Sequence, residues 1–327
     1  MILVRSPLRI TLGGGGTDLP SYYRDNEGYL ISASINKYVY VSIMKPFVQG
    51  IFLKYSSVEN IKKLDQIKHP IIRETLKFVN KKEDQIEIST LADIPSGTGL
   101  GSSGSFTTAL IKSLYIYNNM NISQEKLAEL ACYIEIEKLK EPIGKQDQYI
   151  AVMGGLTEFI FKKNDAVVSK PLGVSKNTLY NLEDKLLLFF TGYSRSAGSI
   201  LKNQDTRSQK KEKDIIDNLN YIKKLGINSK NALLNDKINE FGLIMNEHWE
   251  NKKKRSGGMT NAQIDEWYNY ALSNGAIGGK LVGAGGGGFL MFLASDPEKL
   301  RHAMTKINLE EVRFSFDFEG TKPLFIN

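Results

Sequence analysis

A segment dense in glycine and serine limits how the residues around it can fold. Residues 96–105 read SGTGLGSSGS, with four glycines and four serines in ten positions. The preceding residues, QIEISTLAD, predict a strand, and the following residues, SFTTALIKSLYIYNN, predict a helix with a periodic apolar face. Flexible linkers do not usually join a strand to a strong helix. The segment therefore predicts a tight turn at a helix N-terminus.

Such a turn suits the phosphates of a nucleotide. Glycine lets backbone N–H groups approach phosphate oxygens closely, and a helix N-terminus adds unpaired donors and a favourable dipole. No segment fits the G-x-x-x-x-G-K-[ST] loop, whereas residues 99–104 and 283–288 both match the dinucleotide pattern G-x-G-x-x-G. The second match runs into the strand-like FLMFLA, and DIPSGT separates the first from its strand. These contexts argue against a dehydrogenase.

The composition indicates a globular protein that binds anions. The chain has 327 residues, 41% of them hydrophobic, and a formal net charge of +7. A single cysteine, Cys132, allows no internal disulfide, and the three scattered histidines lack the spacing of a zinc site. The N-terminus does not resemble a signal peptide, and the apolar runs are too short to span a membrane. We therefore expect a cytoplasmic protein with no membrane partner. No nucleic-acid partner is expected either, because aromatic and basic residues do not interleave.

The order of predicted elements favours an α+β fold. Strands and helices are mixed without regular βαβ alternation, and residues 196–274 predict mainly helix. This change of pattern predicts a domain boundary between residues 1–185 and residues 186–327.

Three local predictions can be checked against the structure. Residues 29–46 predict a hairpin that turns near Asn36 and Lys37. Residues 123–140 predict a helix that Ser123 caps. The last prediction is a half-buried strand with alternating apolar residues at Val312, Phe314, Phe316 and Phe318.

Three glycine-rich segments together carry a resemblance to a known family. They read SPLRITLGGGGTD at 6–18, PSGTGLGSSGS at 95–105 and GGKLVGAGGGGF at 278–289. In this order and at these distances they resemble the three motifs of the GHMP kinase superfamily. The resemblance implies ATP as phosphate donor and an α+β two-domain fold. Residues 1–185 would form a ribosomal-protein-S5-like domain with the ATP loop, and residues 186–327 a ferredoxin-like domain.

The resemblance assigns the glycine–serine segment to ATP and Mg²⁺. The ATP-binding residues that it implies are Pro95, Gly97, Gly99, Leu100, Gly101, Ser102, Ser103 and Gly104. Ser103 matches the serine whose hydroxyl faces magnesium, and it is also placed to cap the helix. Gly104 stands where relatives often carry alanine.

A carboxylate ligand for magnesium is expected on the helix at 123–140, since Mg²⁺ prefers oxygen ligands. Glu135 follows Cys132 by three residues and therefore lies on the apolar face. Glu137 lies on the wetter face. A buried carboxylate needs a partner, which would be magnesium or, alternatively, a lysine or arginine. The resemblance also selects Glu135.

Two residues resemble the catalytic pair of the superfamily. Asp147, in IGKQDQY, matches the candidate catalytic aspartate, which takes the proton of the acceptor hydroxyl or only orients it. Arg9, in SPLRI, matches the basic residue that relatives pair with this aspartate. An adjacent cation would stabilise an alkoxide as it develops.

The acceptor site is predicted from the first and third motifs and from residues near Asp147. Asp18 matches the aspartate that binds sugar hydroxyls in related sugar kinases. Gly15 and Gly16 replace a Glu-His pair of galactokinases, which leaves room for a bulkier substrate. The predicted substrate residues are Gly15, Gly16, Thr17, Asp18, Lys145, Gln146, Ser194, Arg195, Ser196, Gly285 and Gly286.

A phosphate at the far end of the substrate would need cations and small donors. The first candidate is Arg195 with its flanking serines, and the second is Lys145. The third is the basic run at 252–255, although four adjacent basic residues are usually a solvated face.

The whole pattern, including EPIGKQDQYIAVMGG and FFTGYSRSAGSIL, most resembles kinases of D-glycero-D-manno-heptose 7-phosphate. It implies ATP-dependent phosphorylation of the anomeric C1 hydroxyl, giving the 1,7-bisphosphate for GDP-heptose synthesis. The alternatives are a GHMP kinase for fucose, another hexose or another sugar phosphate, and a catalytically silent sugar and ATP sensor. The expected partner is a small sugar phosphate, and assembly into a homo-oligomer is left open.

Overall fold

The computed structural model describes residues 1–79, 85–192 and 198–326, and within these ranges it contains two β-sheets. The strands are β1 (Ile2–Gly13), β2 (Gly28–Met44), β3 (Gly50–Lys54), β4 (Val58–Ile61), β5 (Gln85–Ala92), β6 (Leu156–Phe161), β7 (Val167–Pro171), β8 (Leu186–Phe190), β9 (Ala276–Leu281), β10 (Phe289–Ala294), β11 (Glu310–Glu311) and β12 (Lys322–Ile326). The helices are α1 (Pro20–Asn26), α2 (Pro70–Val79), α3 (Ser102–Tyr117), α4 (Gln124–Cys132), α5 (Gln146–Met153), α6 (Lys176–Lys185), α7 (Gly198–Gln209), α8 (Lys213–Leu234), α9 (Ile238–Lys253), α10 (Ala262–Ser273) and α11 (Pro297–Lys306). A 3₁₀ turn covers Leu64–Gln66, and a π-helical turn, Tyr133–Lys138, continues α4.

The first sheet is organised by the long strand β2. Its strand order is β12-β1-β2-β5-β3-β4, with β6 paired to β2 and β7 paired to β6. Strand β3 runs parallel to β5, and the other pairings in this sheet are antiparallel. The second sheet has the order β11-β8-β10-β9 and is antiparallel. This mixture confirms the α+β prediction.

The predicted hairpin near Asn36 and Lys37 is wrong. Strand β2 is continuous, and the register against β1 changes from Pro7–Tyr38 to Leu8–Ile35, so these two residues bulge out without ending the strand. One half of β2 pairs with β6 and the other half with β5. The ladders on both sides therefore outweigh the local preference for a turn.

The predicted strand at 312–318 is also wrong. After β11 the chain crosses from the second sheet to the first, where Phe316 forms a single bridge with Ile35. Phe316 is buried, whereas Phe318 is 58% exposed. The alternating apolar residues pack along a crossing segment instead of forming a ladder.

The predicted helix at 123–140 is present as α4 and the π-helical turn. Ser123 caps it as predicted, because its side chain accepts a hydrogen bond from the Lys126 N–H (3.2 Å). The π-helical turn carries Glu135, and turns of this kind often occur at functional sites.

The two sheets share a hydrophobic core. Leu8 and Leu12 of β1 belong to the same buried cluster as Leu188 of β8 and Phe289 of β10. Strand β8 begins at Leu186, while β12 returns to the edge of the first sheet beside β1. The domain division after residue 185 stays a prediction.

None of the helices in the described part of the chain combines the length and the apolarity needed to cross a bilayer.

Candidate active site

The glycine–serine segment forms a turn between β5 and α3, as predicted. Helix α3 begins at Ser102, and Gly101 precedes it without a side-chain cap. The first amide groups of α3 therefore have no acceptor within the helix. The hydroxyl of Ser102 is buried and has no hydrogen-bond partner among the described residues. The turn presents unpaired donors to the space beside it.

The three glycine-rich segments meet at this turn. A Cβ atom added to Gly283 would lie 2.5 Å from the Cα atom of Gly99, so only glycine allows this contact. On the other side, the backbone N–H of Arg9 donates to the carbonyl oxygen of Leu100 (2.9 Å). Residues far apart in the chain thus build one site.

A cavity of about 640 Å³ extends from the turn across β5. Its far end is lined mainly by apolar and aromatic side chains, which are Val39, Tyr55, His69, Ile71, Leu91, Ile94 and Phe106. The ring centroid of His69 lies 4.9 Å from that of Tyr55 and 5.2 Å from that of Phe106. Burial lowers the pKa of His69, which favours the neutral ring. Flat neutral rings suit a planar base, and we call this space the nucleotide cavity.

Arg9 and Asp147 lie at the wall of the nucleotide cavity and form a two-point ion pair. The Nε and Nη2 atoms of Arg9 donate to the two carboxylate oxygens of Asp147 at 2.8 and 2.9 Å. The remaining Nη1 atom donates to the carbonyl oxygen of Gly99. Arg9 is buried and each of its three guanidinium nitrogens donates a hydrogen bond, so the position of the side chain is fixed. The predicted pair is brought together.

Glu135 and Ser103 lie together at the phosphate end of the nucleotide cavity. The Ser103 hydroxyl donates to Glu135 Oε2, and Gln148 Nε2 donates to Glu135 Oε1 (3.0 Å). Burial raises the pKa of Glu135 to about 7, an effect that the hydrogen bonds from Ser103 and Gln148 partly offset. No lysine or arginine lies within 4 Å of this carboxylate in the described structure. The lysine or arginine partner considered from the sequence is therefore not observed.

The donor set fits a magnesium ion that is shared with phosphates. A hydroxyl and a carboxylate are oxygen ligands, and Mg²⁺ commonly takes one or two carboxylates plus phosphate oxygens and water. Among the described residues no three His, Cys, Asp or Glu side chains are grouped to hold a metal by themselves. Ser103 and Glu135 would thus complete a metal site only together with a bound nucleotide.

A second, smaller cavity adjoins the first. Both cavities are lined by Arg9 and Asp147, and we call the second one the acceptor cavity. Gly15, Gly16, Asp18 and Gln146, four of the predicted substrate residues, line it, and their role in substrate binding stays a prediction.

Asp18 and Gln146 hold each other at the wall of the acceptor cavity. The backbone N–H of Gln146 donates to Asp18 Oδ2 (3.1 Å), and the Gln146 side chain donates to Thr11 Oγ1 (2.7 Å). Burial raises the pKa of Asp18.

Two predicted substrate residues lie elsewhere. Lys145 Nζ donates to the carbonyl oxygen of Asp165 (2.8 Å), lies over the ring of Tyr23 and lines a separate surface cavity. The buried hydroxyl of Thr17 bonds to the backbone of Tyr29, where it accepts from the N–H (3.0 Å) and contacts the carbonyl oxygen (2.7 Å). Both side chains are engaged within the fold.

The other predicted residues divide between the cavities and the turn. Gly285 lines the nucleotide cavity, and the Gly286 N–H donates to the carbonyl oxygen of Met259 (2.9 Å). Pro95 and Leu100 belong to the turn itself. Ser194, Arg195 and Ser196 lie outside the described residues, and their role stays a prediction.

Four basic side chains line the acceptor cavity opposite this wall: His248, Lys252, Arg255 and Lys280. We call them the basic cluster. Each is between 3% and 6% exposed. His248 and Lys280 were missed in the sequence, and Lys252 and Arg255 were considered only as part of a run.

Helical spacing was the signal for two of these residues. His248 and Lys252 follow Phe241 and Met245 on α9 at intervals of three or four, so they continue its buried face. Within the basic run at 252–255, Lys252 and Arg255 are buried, whereas Lys254 is exposed. Lys280 lies on β9 among buried neighbours, where a charged residue is unusual.

The basic cluster carries charge that burial disfavours. Burial lowers the pKa of Lys280 to about 7, lowers that of Lys252 well below its usual value, and lowers that of Arg255 to about 10. Burial and the three neighbouring cations also lower the pKa of His248. In the described structure no carboxylate forms an ion pair with these groups.

Comparisons with known proteins agree with this geometry. Residues 70–155 match the model for the GHMP kinases N terminal domain, and residues 230–310 match the model for GHMP kinases C terminal. The chain is 32% identical, over 98% of each protein, to a D-glycero-alpha-D-manno-heptose 7-phosphate kinase from Campylobacter jejuni. It is 27% identical to a bifunctional fucokinase/GDP-fucose pyrophosphorylase from Arabidopsis thaliana, over 93% of this chain and 31% of that protein.

A solved structure has the same fold over its full length. It is described as a D-glycero-D-manno-heptose 1-phosphate kinase from Bacteroides thetaiotaomicron. The TM-score is 0.82 at 27% identity, and 100% of each chain is covered.

The fold and the matching family models are those of a phosphotransferase with an alcohol group as acceptor. The chain belongs to the GHMP kinases, which use ATP as phosphate donor, and it has their two-domain α+β fold.

The position of Asp147 depends on the absence of a side chain at residue 104. A Cβ atom at Gly104 would lie 2.8 Å from the Asp147 Cβ and 2.9 Å from the backbone N of Gln148. We expect Gly104→Ala to displace the first turn of α5 and to lower kcat roughly tenfold or more, because small misplacements of reacting groups are costly. The measurement is ADP release with ATP and the acceptor. Gly173→Ala is the matched control, since a Cβ there meets nothing within 4 Å. Equal rates in the two variants would contradict this expectation.

Lys280 makes stability depend on pH. Its pKa is about 7 in the fold and 10.5 in the unfolded chain, so between these values the unfolded chain binds more protons. The free energy of unfolding should therefore rise with pH above about 7, by roughly 1.4 kcal/mol per unit for this group. Lys280→Met should flatten this rise in urea unfolding at pH 7, 8 and 9. Lys254→Met, which removes an exposed charge, should keep it. Parallel curves for both variants would refute the assignment.

Proposed function

We propose that this protein transfers the terminal phosphoryl group of ATP to the anomeric C1 hydroxyl of D-glycero-D-manno-heptose 7-phosphate. The product would be the 1,7-bisphosphate, which serves the synthesis of GDP-activated heptose. One observation carries the proposal: two cavities, one suited to a nucleotide and one lined by buried cations, meet at the Arg9–Asp147 pair. The similarity to the Campylobacter jejuni heptose 7-phosphate kinase supports the choice of sugar.

The nucleotide cavity would hold ATP with its base among Tyr55, His69 and Phe106 and its phosphates at the start of α3. The free amide groups of the first helical turn and the unpartnered Ser102 hydroxyl are donors for phosphate oxygens. The aromatic end of the cavity and the donor-rich end thus match the two ends of a nucleotide.

Ser103 and Glu135 would hold Mg²⁺ at the phosphates. When bound, the ion neutralises part of the triphosphate charge. Gln148 holds the Glu135 carboxylate in place through its amide N–H, so the carboxylate faces the cavity before any ligand arrives.

Asp147 and Arg9 would act on the acceptor hydroxyl. Asp147 lies at the junction of the two cavities, where its carboxylate orients the hydroxyl and is placed to accept its proton. Arg9 grips both oxygens of this carboxylate, which fixes its direction. The same guanidinium places a positive charge beside the oxygen that becomes negative during transfer.

The acceptor assignment can be tested with a panel of sugars. ADP release would be measured with ATP, Mg²⁺ and D-glycero-D-manno-heptose 7-phosphate, the unphosphorylated heptose, D-mannose 6-phosphate, L-fucose or D-galactose. We expect the highest kcat/KM with the heptose 7-phosphate, and phosphorus NMR of the product should show the new phosphate on C1.

Other outcomes of the panel select the alternatives. A highest kcat/KM with L-fucose would favour a function like that of the Arabidopsis thaliana relative. No ADP release above the sugar-free rate with any acceptor would favour a silent sensor, against which the intact Arg9–Asp147 pair argues.

The role of Asp147 is tested by Asp147→Ala. We expect kcat to fall at least about a hundredfold, because the hydroxyl loses its orienting carboxylate, while ATP binding measured by calorimetry is retained. Asp184→Ala, which removes an exposed aspartate from α6, should leave kcat unchanged. Near-normal turnover in Asp147→Ala would remove this residue from the mechanism.

A further inference from the structure

We propose that the basic cluster of His248, Lys252, Arg255 and Lys280 binds a phosphate monoester group at the end of the acceptor remote from the reacting hydroxyl. The assignment rests on the proposed function in one respect, namely that this group belongs to the sugar that Asp147 engages. All four side chains line the acceptor cavity together with Asp147.

The two lysines keep N–H donors for a ligand. Lys280 Nζ donates to the carbonyl oxygen of Leu12 (3.0 Å), which uses one of its three protons. Lys252 Nζ donates to the carbonyl oxygens of Leu281 (3.1 Å) and Gly283, which uses two. Three ammonium N–H groups therefore remain for an acceptor in the cavity.

Arg255 is positioned by neutral partners. Its Nε donates to Asn218 Oδ1 (3.2 Å), and its Nη1 donates to Gln204 Oε1 (3.2 Å) and lies 3.4 Å from the carbonyl oxygen of Gly15. Gln204 in turn donates to the carbonyl oxygen of Gly16 (3.0 Å). These bonds orient the guanidinium without neutralising it.

The charges of the acceptor cavity do not balance. Four permanent or potential cations, Arg9 and three members of the basic cluster, face two carboxylates. Asp147 is already paired with Arg9. Asp18 accepts hydrogen bonds from two backbone N–H groups, and its charge stabilises the Arg255 cation without forming an ion pair with it. Buried charges are normally paired. A phosphate dianion would supply the missing negative charge and accept several charge-assisted hydrogen bonds.

His248 points independently to a polar ligand. The ring is 5% exposed and lines the cavity, yet neither nitrogen has a hydrogen-bond partner among the described residues. Unpartnered buried nitrogens are costly unless a ligand or water satisfies them. The neutral ring can donate one N–H to a phosphate or sugar oxygen.

A purely structural role explains less of this arrangement. Lys252 does donate a hydrogen bond to a carbonyl oxygen of the third glycine-rich segment, and Lys280 donates one to a carbonyl oxygen of β1. Neutral donors could make such ties without the cost of burying charge. One arginine and two lysines that a bound anion would keep protonated are instead what recognition of a dianion requires.

The experiment compares a sugar with and without its distal phosphate. We would measure kcat and KM of the wild type, Lys252→Met, Lys280→Met and Lys254→Met with D-glycero-D-manno-heptose 7-phosphate and with the unphosphorylated heptose. Each buried-lysine variant should raise the KM for the phosphorylated sugar about ten- to hundredfold, and at least about tenfold more than it raises the KM for the unphosphorylated sugar. Lys254→Met, which removes the same charge from an exposed position, should match the wild type. Equal losses on both sugars would overturn the proposal.

A second arm does not depend on turnover. The protein would be saturated with Mg²⁺ and a non-hydrolysable ATP analogue, so that the phosphate-binding turn is occupied, and titrated with inorganic phosphate by calorimetry. We expect saturable binding in the wild type and Lys254→Met, and its loss in the double variant Lys252→Met/Lys280→Met. Thermal unfolding would confirm that this variant is folded. Binding that survives in the folded double variant would also refute the proposal.

The two arms separate this inference from the proposed function. Phosphate binding that depends on the cluster, in a protein that phosphorylates no sugar of the panel, would support the anion site and refute the proposed acceptor. Turnover of a sugar of the panel without any dependence on Lys252 or Lys280 would refute the anion site and leave the proposed function standing.

Discussion

The ion pair between Arg9 and Asp147 is the contact on which the arrangement of the site depends. One guanidinium reaches from β1 to both carboxylate oxygens at the start of α5 and to a carbonyl oxygen of the glycine–serine turn. Because the turn precedes α3, the Arg9 guanidinium connects the N-terminus of α3 to the acceptor cavity. The distance between the two cavities is thus set by short hydrogen bonds to a buried side chain.

Much of this site could be predicted from sequence because its chemistry is concentrated in short segments. Helical spacing alone placed Glu135 on a buried face, and the structure shows it there beside Ser103. The order of the predicted helices and strands was sufficient to predict the α+β fold class. The hairpin at Asn36 and Lys37 was wrong because strand pairing from β5 and β6, which are distant in sequence, decided the path of β2.

The basic cluster could not be assembled from sequence because its members come from α9, the residues after it and β9. A run of four basic residues indicates a solvated surface, yet Lys252 on α9 and Arg255 in the turn after it are buried, while Lys254 is exposed. Only the tertiary structure shows that Lys280 meets them. Proteins retain such costly buried charged groups mainly where function requires them. Burying these groups lowers the stability of the fold.

The pairing of β12 with β1 has a consequence for how the chain is made. Strand β1 carries Arg9 and is synthesised long before β12, with which it pairs. Until residues 322–326 are available, the outer edge of β1 has no neighbour, and an open edge can pair with other chains. The first sheet therefore reaches its final form only after residues 322–326 have been synthesised, because β2 pairs with the other edge of β1 and leaves the outer edge open until then.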